Sequence, residues 1–97
     1  VIKGRFTITS GRMVGSYKDR TFEYEVIQWI KQDEYTPHDQ KLRKYITPEK
    51  LDEAEAIYVK ITMPDGSTEY RYLWGPFFGG EKEIEQHLTD IMLYGSP

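Results

Sequence analysis

The first residues of the chain alternate in character: Ile2, Phe6 and Ile8 fall on one side of an extended backbone, and Lys3, Arg5, Thr7 and Thr9 on the other. Successive side chains of a strand point to opposite faces, so this period-two pattern predicts a half-buried strand over 2–9. Gly11-Arg12-Met13-Val14-Gly15-Ser16 then interrupts the alternation, either as a long hairpin loop or as a short strand at Met13 and Val14. From Thr21 onward Phe22, Tyr24 and Val26 alternate with Glu23 and Glu25, and the β-branched and aromatic content favours a second strand over 21–30. A helix competes for the same residues. Phe22, Val26, Trp29 and Ile30 also recur at helical spacing, with Asp19 or Thr21 placed to cap a first turn.

Two Thr-Pro pairs follow, and in each the Thr suits a helix N-cap while the Pro suits the first helical position, where a missing N–H costs nothing. They predict short helices over 37–44, burying Leu42 and Tyr45, and over 48–55, burying Leu51 and Ala54. Residues 56–63 and 67–74 are β-rich runs on either side of Pro64-Asp65-Gly66, which predicts a β-hairpin. Turn length decides which face holds the aromatic residues. A three-residue loop closing with Gly66 in the left-handed region places Tyr58, Lys60, Tyr70, Tyr72 and Trp74 on one face and Ile57, Val59, Ile61 and Leu73 on the other. A two-residue Asp65-Gly66 turn would instead put Tyr70, Tyr72 and Trp74 with Ile57, Val59 and Ile61.

Over 81–94 the stripe of Ile84, Leu88, Ile91 and Met92, with Glu81, Glu83, Glu85 and Asp90 mostly off it, predicts an amphipathic C-terminal helix. Its acidic first turn complements the helix dipole, Gly95 suits the C-terminal cap, and Phe78 in Phe77-Phe78-Gly79-Gly80 is expected to staple its entry. The expected class is α+β: an antiparallel sheet of 4–5 strands with helices packed on it, in one domain spanning 1–97. The same element order suits an OB-like barrel.

Composition sharpens this picture. The 97-residue length leaves room for one core. Charged residues make up 30% of the chain, yet 14% are aromatic, which opposes disorder. A formal charge of −3 implies no nucleic-acid or membrane partner by itself. Cysteine is absent, so disulfides, thiolate metal sites and cysteine nucleophiles are excluded. No run is apolar enough to span a membrane and Val1-Ile2-Lys3-Gly4-Arg5 lacks a signal-peptide core, so a cytoplasmic location is expected.

Motifs for chemistry do not assemble. His38 and His87 stand at no zinc-ligand spacing, no GxSxG elbow surrounds a serine, and the double glycine at 79–80 lacks the lysine of a phosphate loop. Neither enzymatic activity nor a cofactor is expected. The chain is expected to be a small binding module that contacts another protein through Tyr58, Lys60, Tyr70, Tyr72 and Trp74. One alternative is single-stranded nucleic acid stacked on those rings, with Arg5, Arg12, Lys18 and Arg20 on its backbone, since residues 1–20 hold five cations against Asp19 alone. Against it, the basic residues of the first strand are placed to pair across the sheet with Glu23 and Glu25. A second alternative is a homodimer formed by an uncovered first or last strand.

Overall fold

The computed structural model describes residues 2–9, 18–31 and 43–94. Among them, β1 (Lys3–Thr7), β2 (Thr21–Lys31), β3 (Ala54–Thr62) and β4 (Thr68–Trp74) form one antiparallel four-stranded sheet in the order β1-β2-β3-β4. A 3-10 helix at Pro48–Glu53 precedes β3, and an α-helix, α1 (Glu81–Tyr94), follows β4. The class is α+β, as the periodicity predicts. The expected short strand at Met13 and Val14, the cap at Gly95 and residues 37–42 of the helix expected over 37–44 lie outside the described residues.

In β1 the alternation is realised as expected, with Ile2, Phe6 and Ile8 buried and Lys3, Arg5, Thr7 and Thr9 exposed. Residues 21–31 form a strand and not a helix. The helical spacing within them has a specific origin: the register slips between Val26, opposite Val59, and Gln28, opposite Tyr58. This bulge lets Val26 and Trp29, three positions apart, both point inward, where an unbroken strand would send them to opposite faces.

The sheet is open. An OB-like barrel would close its first strands onto its last, whereas β1 and β4 are the two edges here. Ile84 and Leu88 of α1 join one buried cluster with Phe6, Phe22, Tyr24, Val59, Ile61 and Leu73, so a helix covers the inner sheet face and no closing strand pair is needed. Full burial of each such Ile or Leu contributes about 1.5–3 kcal/mol. Phe6 and Phe22, paired across β1 and β2, stack at 5.1 Å.

Four local expectations are corrected. Over 48–55 the helix is a 3-10 segment ending at Glu53; Leu51 and Ala54 are buried as expected, but Ala54 already belongs to β3, whose extended pull shortens the helix. Tyr45 is 78% exposed, because its neighbour Ile46 takes the inward position while the Tyr45 carbonyl accepts a hydrogen bond from Trp29 Nε1 at 3.1 Å. Arg43, at the end of the helix expected over 37–44, forms an isolated antiparallel bridge with Trp29. Before α1 it is Phe77, 1% exposed, that enters the core; Phe78 is 79% exposed and staples nothing. The Phe77 amide donates to the Leu51 carbonyl, which fixes that residue, and not its neighbour, against the core.

Candidate functional site

The geometry of the outer sheet face starts at the β3–β4 turn. Met63 N donates to the Ser67 carbonyl at 2.8 Å and Gly66 N to the Met63 carbonyl at 2.9 Å, with Gly66 at φ 91°. Asp65 Oδ1 accepts from Ser67 N at 3.0 Å and from Ser67 Oγ at 2.6 Å, bracing the turn. This is the three-residue loop. It pairs Lys60 with Tyr70, Tyr58 with Tyr72 and Ala56 with Trp74. Ile57, Val59, Ile61 and Leu73 are therefore buried beneath the sheet, and the aromatic side chains stand on the opposite face.

Tyr70, Tyr72 and Trp74 are 44%, 55% and 67% exposed. Half-buried Tyr58 lies between the first two, its ring stacked with Tyr70 at 5.5 Å and tilted against Tyr72 at 4.5 Å. These contacts restrain each ring before any partner arrives, which lowers the entropy lost when the face is covered.

Pairing across all the strands resolves the outer face into rows. One row runs Lys3, Glu25, Lys60, Tyr70; the next, toward the β3–β4 turn, runs Arg5, Glu23, Thr62, Thr68. In the other direction lie Gln28, Tyr58 and Tyr72, and then Ile30, Ala56 and Trp74. The expected binding set of Tyr58, Lys60, Tyr70, Tyr72 and Trp74 is thus brought together on neighbouring rows. Half-buried Gln28 joins it, and Ile30 shares its row with Trp74 but is buried; neither was legible in the sequence, since the bulge after Val26 reverses their parity.

The basic set is not brought to the rings. Arg5 Nε sits 3.4 Å from Glu23 Oε1 in a solvent-exposed ion pair, as the cross-strand alternation predicts. Lys18 and Arg20 are exposed just before β2, at the end of the sheet away from Trp74, and Arg12 lies outside the described residues. Between them and the rings stand Glu23 and Glu25. A shallow depression of about 530 Å³ overlies this charged part of the face, lined by Lys3, Arg5, Glu23, Glu25, Lys60 and Thr62.

On the inner side, the Tyr24 hydroxyl donates to Glu85 Oε2 of α1 at 3.3 Å. Burial, reinforced by the Glu85 and Glu81 carboxylates, pushes the Tyr24 phenol well above its ordinary range. His87 on α1 lies edge-on to Phe77 at 5.8 Å, with its Nε2 3.9 Å from a Glu83 carboxylate oxygen. Among the described residues no group of three or more His, Asp or Glu could hold a metal ion, and no helix is long and apolar enough to cross a membrane. Compared with protein-family models, curated proteins and solved structures, the chain finds no match.

Proposed function

We propose that the chain is a non-enzymatic binding module that contacts another protein through the outer face of its β3–β4 hairpin. One observation carries this reading: Tyr70, Tyr72 and Trp74 stand exposed on one face of a hydrogen-bonded strand, with Tyr58 packed against the two tyrosines. Large aromatic side chains with a polar edge are enriched where proteins meet, because they bury much area for few rotatable bonds. The sheet presents them on an already ordered backbone, which lowers the ordering cost to that of the side chains.

Single-stranded nucleic acid is the competing occupant, and the stacked Tyr58 and Tyr70 rings beside Lys60 are what speak for it. The interleaved Glu23 and Glu25 speak against it, since they neutralise the cations of the same rows and repel phosphate. Affinity capture with the full chain and with a Tyr72→Ala/Trp74→Ala variant separates the two. Both rings are exposed, so the variant keeps its fold. Proteins retained by the wild type should be lost with the variant and unaffected by nuclease. Retention that nuclease abolishes, or that the variant preserves, would overturn the reading.

A further inference from the structure

The outer edge of β4 carries a second kind of information, in its backbone. Met63 and Ser67 are hydrogen-bonded partners, and Gly75 N donates to the Glu55 carbonyl beyond the other end of the strand. In an antiparallel ladder bonded and non-bonded positions alternate, so Glu69, Arg71 and Leu73 direct their N–H and C=O groups at β3. Thr68, Tyr70, Tyr72 and Trp74 direct theirs away from the sheet. Because β4 is an edge, no backbone group among the described residues meets them. Among the described residues the Tyr70 carbonyl accepts a side-chain donor, Arg71 Nη1 at 2.9 Å. The residues that offer the free backbone groups are thus the ones whose rings form the outer face.

On the inner side of this edge lie Glu69 and Arg71, paired within the strand at 2.9 Å. Inward charges on an edge strand ordinarily oppose strand addition. Here they bear opposite signs at adjacent inward positions, and that makes the edge complementary to itself in one register. We infer that β4 pairs antiparallel with β4 of a second copy of this chain, about a two-fold axis through Tyr70. This rests on the reading of the hairpin as a protein-contacting surface and names its partner.

In that register Tyr70 meets Tyr70 of the second copy as a hydrogen-bonded pair, and Thr68 meets Tyr72 in both directions. Glu69 then stands opposite Arg71 of the second copy, and Arg71 opposite its Glu69, at the non-bonded positions where side chains approach most closely. The Arg71 guanidinium gives up the Tyr70 carbonyl to a backbone N–H and turns to the facing carboxylate. A two-fold axis at position 71 would oppose Arg71 to Arg71, and one at position 72 would leave Glu69 facing no cation. The charges therefore select the Tyr70 register. On the outer face the row Lys3, Glu25, Lys60, Tyr70 continues through Tyr70 into the same row reversed, and the two sheets become one.

Sedimentation velocity on the full chain, from micromolar to submillimolar concentration, reads this directly. The wild type should dimerise. Glu69→Arg or Arg71→Glu alone, which sets like charges opposite each other twice, should weaken the dimer about tenfold. The double reversal Glu69→Arg/Arg71→Glu should restore it. Tyr70→Pro removes an N–H that β3 does not use, so circular dichroism should stay native while the dimer is lost. A chain monomeric throughout, a dimer indifferent to Tyr70→Pro, or a double reversal that fails to restore pairing would overturn the inference. The charge reversals leave the ring-dependent capture that tests the proposed function unaltered, because Glu69 and Arg71 lie on the side away from the rings; Tyr70→Pro changes one ring and is read for the dimer alone.

Discussion

At Gly4 the absence of a side chain is what the neighbouring strand uses. Gly4 faces Tyr24 across β1 and β2, and a Cβ there would lie 2.8 Å from Tyr24 Oη and 3.0 Å from its Cε1. The ring fills the place a side chain would occupy and carries its hydroxyl to Glu85. Gly4→Ala should displace it and lower stability by about 1–2 kcal/mol, read as a reduced urea midpoint. The gap between Ile2 and Phe6 in the alternating pattern is visible in the sequence; its occupant is not, because that depends on register with a strand across a long connection. Tyr24 also gives a pH dependence. Its phenol titrates above the ordinary value of about 10 in the folded chain, so above that pH the unfolded chain loses this proton first and stability falls as pH rises. Below pH about 10 the contribution is fully present. Tyr24→Phe should be less stable than wild type near neutrality, but the deficit should shrink steadily in thermal melts taken above pH 10. A deficit constant with pH would contradict the assignment.

Among the elements, the β3–β4 hairpin and α1 are the most legible, for the same reason: their signals are local. Pro64-Asp65-Gly66 carries its own turn chemistry, and the Ile84 and Leu88 stripe needs only helical period to be seen. Gly66 at φ 91° has nothing within 4 Å of a Cβ built on it, so substitution there meets backbone strain alone. Gly66→Ala should cost about 1–2 kcal/mol in denaturant unfolding, and Gly66→Asn less, since Asn tolerates the left-handed region. Equal losses would mean that the turn relaxes into another form. Less legible were elements shaped by distant contacts. β2 presented strand and helix patterns together because its bulge changes parity after Val26, and a bulge has no composition of its own. Phe77 and Phe78 are identical residues, yet Phe77, whose amide donates to the Leu51 carbonyl, is buried and Phe78 is exposed, a difference that rests on tertiary contacts. The 3-10 helix stops where β3 needs extended backbone, which no capping residue announces.

At the scale of the molecule, the decisive asymmetry among the described residues is that one α-helix packs on a sheet with two faces. The apolar stripe of α1 covers the side bearing Val59, Ile61 and Phe22, and among the described residues nothing comparable covers the rings. Both components were readable separately. Which face remained open depended on the length of one turn. Charge follows the same organisation: the cations Lys3, Arg5 and Lys60 alternate with Glu23 and Glu25 across the outer rows, in a chain of net charge −3. Such interleaving leaves little field to draw a polyanion, whereas a protein surface with its own mixed charges can match it. The wild type should accordingly show no salt-sensitive binding to mixed single-stranded oligonucleotides in fluorescence anisotropy. Glu23→Gln/Glu25→Gln releases Lys3, Arg5 and Lys60 on the same outer face and should create weak binding, with a slope of log affinity against log salt of about −2. Both glutamates are solvent-facing, so the variant's fold is a fair control. Steeply salt-dependent binding by the unaltered chain would show instead that the rings take bases, and that the ion pairs on this face open readily enough to admit phosphate.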